Sequence, residues 1–331
     1  MGLGVKQKIA GTVTTAKKVS WRRQARLNPH GVVLMYHRIT TPSADPWELA
    51  VTPENFAAQL EVLRHFGAVR PLCELAPEET GAPHRQIAIT FDDGYLDNLD
   101  AGLPILQAAG MPATMFISAG YTGSENRFWW DTLVQIFLET DQLPERMDIR
   151  LGSTRRVFKI GKSPSPARRQ KMILTIWKDL VELDAQAIQD GVQRIADWAG
   201  VSRKATPQDR AMTLAEVQRL AGSGQIEIGG HTLSHPALTL VPPETAAREI
   251  AEGRAALRDW TGQPVESFAY PYGMHDDATA SFVRDAGFKR SCTVLPGIAT
   301  SATDPFRIPR LHVKNWPADE FEKQISSYVG R

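Results

Sequence analysis

The sequence predicts an α/β protein built on a parallel sheet, and three observations predict it. Short apolar runs of strand length begin near residues 32, 87, 114, 226, 267, 290 and 308. Stretches with helical spacing separate most of them, the strand–helix–strand order that a parallel sheet requires. At 331 residues, 42% of them hydrophobic and 23% charged, the chain can bury a core of that size, as one α/β barrel or as two domains.

Taken in order, Gly31-Val-Val-Leu-Met-Tyr-His37 is the first buried strand. Residues 53–66 place Phe56, Leu60 and Leu63 on one helical face. A second strand at 86–91, a helix at 98–109 and a strand at 113–118 continue the alternation. Between about 124 and 224 the alternation breaks, and we read this stretch as a mainly helical insertion. It contains a helix at 129–138, a small β-hairpin within 150–159, a Ser/Pro linker at 163–166 and amphipathic helices at 168–183 and 186–198. A short helix at 213–221 starts with Thr213 as N-cap, and Glu216 completes a capping box. Regular order resumes at Ile226, with helices at 243–261 and 278–286 and strands at 267–270, 290–294 and 307–313. The domain reading is a basic segment over 1–29, a seven-stranded α/β body over 30–315 carrying the insertion, and a C-terminal helix over 316–331.

A net charge of +1 gives no case for a nucleic-acid partner. Two cysteines, Cys73 and Cys292, are too few for a disulfide framework; their apolar settings predict buried thiols, with a single bridge between them left open. No run approaches the roughly 20 apolar residues that span a bilayer. Before Asp45 the chain carries eight Lys or Arg and no acid, and it has no apolar leader core. The expected location is therefore the cytoplasm, at the inner face of the membrane if the basic segment engages it. Val5, Ile9, Val13 and Ala16 fall at helical spacing. The segment reads either as a solvated tail or as a peripheral membrane contact through residues 1–26.

Two motifs carry the chemistry. Thr90-Phe-Asp-Asp-Gly94 ends the second strand. At a strand end, with Gly94 letting the backbone turn, both carboxylates can enter one mouth. Such a pair is costly without a cation, because like charges raise one pKa. His231-Thr-Leu-Ser-His235 follows the strand at Ile226, and its spacing predicts two imidazoles one helical turn apart. One carboxylate and two imidazoles make three ligands, a set that suits zinc and also cobalt or iron. The other carboxylate is left as a base. Each motif alone has a plain structural reading, a turn or a surface helix; their joint appearance at two strand ends makes the case.

With Tyr270-Pro-Tyr-Gly273 added in this order, the chain resembles the polysaccharide deacetylases, the NodB-homology or carbohydrate esterase family 4 group. Leu34-Met-Tyr-His-Arg-Ile39 is similar to the opening of many bacterial members. The resemblance covers about residues 30–315 and implies a distorted (β/α)7 barrel, in agreement with the seven strands counted. It implies that Asp93, His231 and His235 bind a divalent metal, zinc first, and that Asp92 is the general base. The backbone N–H of Tyr272 would help hold the oxyanion. A late histidine would protonate the leaving amine, and here His312 is the candidate, with His37 as its rival. The family often has an arginine where this chain has Ala269, and Arg310 could approach from the last strand instead.

The implied function is hydrolysis of an N-acetyl group on an amino sugar of a glycan or glycolipid precursor, a chitooligosaccharide among the options, with release of acetate. The alternatives are O-acetyl ester hydrolysis on a polysaccharide and a catalytically silent glycan-binding barrel. Gly161-Lys162-Ser163 is not the end of a phosphate loop, since Arg156 stands at the required upstream glycine. Phe128-Trp129-Trp130-Asp131 reads as a core anchor in preference to a sugar-stacking platform, and Arg168-Arg169-Gln-Lys171 as a solvated helix face.

Overall fold

In a computed structural model, residues 30–75, 85–162 and 164–329 are described. The basic segment 1–29, with the amphipathic helix expected in it, lies outside them. β1 (His30–Tyr36) leads through β2 (Arg38–Ile39) and β3 (Ala50–Val51) to α1 (Pro53–Leu63), which Thr52 caps. β4 (Ala68–Val69) precedes β5 (Arg85–Phe91), the strand that delivers the aspartates. A π-helical turn at 98–102 opens α2 (Leu103–Ala109), and β6 (Ala113–Ile117) follows. After the insertion come α6 (Leu214–Ala221), β9 (Ile226–Gly230), α7 (Pro243–Thr261), β10 (Ser267–Ala269), α8 (Asp277–Asp285), β11 (Arg290–Cys292), β12 (Leu311–His312) and α9 (Ala318–Val329).

Seven strands pair in the order β11-β10-β9-β6-β5-β1-β12, all in parallel, and β4 pairs with the lower half of β5. Strand alternation gives the sheet two apolar faces. Val32, Leu34, Ile87, Ile89, Met115 and Ile117 face the helices, while Val33, Ala88, Phe116, Ala269 and Cys292 fill the concave side. The sheet curls until its ends approach. Ile308 bridges to Cys292 of β11, and four residues later His312 pairs with Met35 of β1. That crossing corrects the last strand: the expected 307–313 run keeps only two strand residues, because its first part serves one edge and its last part the other.

The insertion carries α3 (Trp129–Val134), the hairpin β7 (Arg146–Leu151) and β8 (Thr154–Lys159), α4 (Pro166–Val181) and α5 (Ala185–Ala199). Their apolar faces meet in a separate core that includes Phe128, Trp129, Ile149, Ile176 and Ile195. The hairpin begins four residues before the expected start, because Met147 and Ile149 also point into this core. α6, grouped with the insertion on sequence, packs instead into the barrel core through Val217 and Leu220, and its capping box is present. Arg169 departs from the solvated-face reading: its guanidinium donates to the carbonyls of Phe137, Thr140 and Asp141. Both cysteines are free; Cys292 is buried as expected, but Cys73 is half-exposed.

Candidate metal and catalytic site

Parallel strands end together, so the residues that follow them share one mouth. Tyr36 and Phe91 pair at the ends of β1 and β5, and the Asp92 N–H donates to the Tyr36 carbonyl at 3.1 Å. The chain then turns: φ is 75° at Asp93 and 91° at Gly94. This turn brings two successive side chains to one side, where strand geometry would oppose them. Gly94 is needed for its positive φ, and a Cβ there would also meet the Ile117 side chain at 3.0 Å.

β9 supplies His231, whose N–H donates to the Ile117 carbonyl at 3.1 Å. The expected helical spacing of the histidines is corrected here. Residues 231–235 form an irregular turn, with φ of 66° at Thr232 and 59° at His235. Glu249 on α7 holds the turn, accepting from the N–H groups of Leu233 (3.1 Å) and Ser234 (2.7 Å) and from the Ser234 hydroxyl (2.6 Å). Thr232 Oγ1 accepts from the His235 N–H at 2.9 Å. α7 lies so close that a Cβ on Gly253 would stand 2.7 Å from the Thr232 carbonyl.

These turns bring Asp93, His231 and His235 together, all buried. Asp93 Oδ1 lies 3.5 Å from His231 Nε2 and 3.4 Å from His235 Nε2, and the two Nε2 atoms are 3.2 Å apart. Three tetrahedral ligands at zinc distances stand about 3.3 Å apart, so the set fits a zinc-sized ion. His231 Nδ1 faces the Ala269 carbonyl at 2.7 Å. A carbonyl only accepts, so the proton sits on Nδ1 and Nε2 keeps its lone pair toward the site. Burial alone would raise the Asp93 carboxyl, but the facing imidazoles of His231 and His235 reverse this and carry it well below the usual range. Burial also pushes the His235 imidazole down.

Asp92 is held from across the sheet. Arg310, fully buried, donates to both its oxygens at 2.7 Å. The same guanidinium donates to the Thr293 carbonyl (2.9 Å) and to Thr90 Oγ1 (3.2 Å). Burial would raise the Asp92 carboxyl; Arg310, with His231 and His37, more than reverses this and holds it below the ordinary value. The approach from the last strand weighed on sequence is thus the observed one, and Ala269 supplies a carbonyl where the family often places a guanidinium.

Both candidate proton donors lie beside this pair. His37 Nε2 is 3.8 Å from Asp92 Oδ2, and its ring meets the His312 ring edge-on at 5.8 Å. Burial, with His37 and Lys314 nearby, pushes the His312 imidazole down to about 3. His312 Nε2 and His37 Nδ1 are buried without a hydrogen-bond partner within the protein.

Tyr272 sits in a 3₁₀ turn with φ of 58°, its ring edge-on to His235 at 4.6 Å. The Trp130 ring also packs on His235 (4.8 Å), and its indole N–H donates to the Tyr95 hydroxyl, which donates to Asp131, both at 2.7 Å. Burial pushes the Asp131 carboxyl up to about 7. Phe128, Trp129 and Trp130 are buried, in line with the core reading. Two other indoles that the sequence did not single out, Trp47 and Trp177, are half-exposed and 5.9 Å apart, and Trp177 meets the Tyr272 ring at 5.7 Å. Glu249 was also unforeseen, since nothing around an acid in a long helix signals that it holds a loop fifteen and sixteen residues upstream.

Comparison with known proteins agrees with this architecture. The family profile described as polysaccharide deacetylase matches residues 79–146 and 195–291, leaving out nearly all of the hairpin, α4 and most of α5. The YxkH protein of Bacillus subtilis (strain 168) is 20% identical over 285 residues, 85% of this chain and 70% of that one. Among solved structures, IcaB from Ammonifex degensii superposes with a TM-score of 0.59 at 20% identity, over 92% of this chain and 98% of that one. The Streptococcus pyogenes deacetylase PplD, solved with acetate, gives 0.57 at 19% identity, over 89% and 97%.

Proposed function

The chain belongs to the polysaccharide deacetylase family, and on that footing we propose that it hydrolyses the N-acetyl group of an amino sugar in a metal-dependent reaction, releasing acetate. The observation that carries the proposal is the buried Asp93–His231–His235 set beside a carboxylate clamped by arginine. A divalent metal there, zinc by its donor set, would act as a Lewis acid on the acetyl carbonyl and lower the pKa of water.

The protein's own groups supply the rest. Asp92 is kept ionised by Arg310 and retains lone pairs beyond those two bonds, so it can take the proton of the attacking water. Arg310 fixes its direction. The Tyr272 backbone N–H is the candidate donor to the oxyanion as the carbonyl becomes tetrahedral. The leaving amine needs a proton, and His37 and His312 are the groups placed to deliver one. Trp47, Trp177 and Tyr272 offer aromatic faces on which a pyranose ring can pack.

One observation favours O-acetyl ester hydrolysis as the second reading. Burial pushes the His312 imidazole down, which favours its neutral form over the imidazolium that would donate, and an ester needs less help from an acid than an amide does. Acetate release from N-acetylated chitooligosaccharides and from an O-acetylated polysaccharide, measured side by side on zinc-loaded enzyme with Asp92→Asn as control, tests the choice. Release from the N-acetyl substrate alone is expected. Release from the ester alone transfers the proposal to the second reading. Release from neither, with metal bound, leaves a glycan-binding barrel.

A further inference from the structure

Charge is distributed unevenly over the chain: besides the basic stretch before Asp45, one structural unit carries a comparable excess. Residues 146–179 carry ten Lys or Arg and two acids, so this stretch is +8 while the whole chain is +1. The hairpin β7–β8 turns Met147, Ile149 and Leu151 into the insertion core, which leaves its other face to solvent. That outer face carries Arg146, Asp148 and Arg150 on β7 and Arg155, Val157 and Lys159 on β8. Register pairs Arg146 with Lys159 and Arg150 with Arg155. Like charges directly opposite one another destabilise a hairpin. One acid, Asp148, serves both pairs, reaching Arg155 at 2.7 Å and Arg146 at 3.3 Å. Among the described residues, Arg150, Lys159 and Lys171 have no ion-pair partner. A face arranged this way is poor for the stability of the isolated hairpin and well suited to an anionic surface.

The face continues onto α4. Val157 and Lys159 of β8, with Arg168 and Lys171 of α4, line a groove of about 660 Å³. Two aliphatic side chains stand out among the cations, Val157 at 49% exposure and Leu174 at 37%. A soluble polyanion has nothing to offer them, whereas the headgroup layer of a bilayer takes apolar side chains and cations together. The same helix reaches the site mouth: Trp177 lies six residues beyond Lys171, about 9 Å along the axis, and packs on Tyr272.

We propose that the outer face of the hairpin and the adjoining side of α4 form a docking surface for an anionic phospholipid bilayer, which brings the site mouth to membrane-borne glycan. The surface is separate from the basic segment 1–26 and stands or falls independently of the reaction, because its test requires no turnover.

The test is co-sedimentation of the full chain with vesicles of phosphatidylcholine alone or mixed with phosphatidylglycerol. The wild type is expected to bind the mixed vesicles only. Each neutralised cation is worth about fivefold in binding, so Arg150→Gln/Lys159→Gln/Lys171→Gln should lose on the order of a hundredfold. Val157→Ser/Leu174→Ser should weaken binding with every charge in place. All five residues are exposed, so circular dichroism and the urea midpoint should be unchanged in both variants. Full vesicle binding by the charge variant, lost only when residues 1–26 are deleted, overturns the proposal. So does unaltered vesicle binding by the serine variant while the charge variant loses affinity for dextran sulfate, which would make the face a polyanion site. Failure of the wild type to bind mixed vesicles overturns it outright.

Discussion

Replacing Arg310 by Met removes the cation that holds Asp92 and keeps much of the side-chain volume. The wild-type pair is buried and doubly bonded, so the change leaves a buried carboxylate without its main partner. Breaking a buried pair from one side costs about 3–5 kcal/mol, a large part of the roughly 5–15 kcal/mol by which a domain is stable. The loss depends on pH with a definite sign. In the wild type the Asp92 pKa lies below its unfolded value, so its contribution is complete above the ordinary carboxylate range and disappears as pH falls through the folded-state pKa. In Arg310→Met the largest opposing charge is gone and only His231 and His37 still counter burial, so the carboxyl protonates more readily in the folded state than in the wild type. The stability gap between the two proteins should therefore be full at pH 7 and narrow as pH drops through about 4. The acid limb of acetate release should move to higher pH in the variant. Urea unfolding across pH and a pH–rate profile measure both effects. Adding Asp92→Asn should recover part of the lost stability, because the unpaired charge is gone. Equal stability of Arg310→Met and wild type at pH 7, or an acid limb that stays in place, would refute the clamp.

Three further outcomes are expected. Asp93→Ala and His231→Ala should each lose the metal that the wild type binds at about one per chain, while Asp92→Asn keeps the metal and loses turnover; elemental analysis after zinc loading and desalting decides. Glu249→Ala should lower zinc affinity by about 10- to 100-fold without touching a ligand, as changes behind metal-binding histidines do, and competition with a chromogenic chelator reads it. Gly253→Ala should destabilise the fold by roughly 1–3 kcal/mol, because its methyl must displace the Thr232 backbone; an unchanged urea midpoint would mean that α7 and the histidine turn move apart freely.

How far the sequence could be read depended on the range of each interaction. Strands β1, β5, β6 and β9 were legible because local runs such as Val32-Val33-Leu34 and Ile87-Ala88-Ile89 are buried on both faces. Asp92 and Asp93 were legible because Gly94 marks the turn that unites them. The shape of the His231–His235 segment was not, since spacing alone suits a helix and the turn exists only because Glu249 and the small Gly253 meet it from α7. The partner of Asp92 was no more than an option, because Arg310 stands 218 residues away and its approach depends on the sheet curling back on itself. α6 went to the wrong unit for the same reason: its apolar stripe tells that it packs, and only the tertiary fold tells against what.

The left-handed residues of the site have a consequence for its history. Among the described residues, five other than glycine have positive φ, and four of them are Asp93, Thr232, His235 and Tyr272. Each such conformation costs about 1–2 kcal/mol for an ordinary side chain, most for a β-branched one such as Thr232. Together they consume a sizeable share of the margin by which a domain stays folded. A lineage released from selection for turnover would gain thermostability by placing glycine at these positions. Their backbone cost belongs to the site's geometry and not to the fold's packing, so thermostabilised variants selected without an activity screen are expected to take glycine here early.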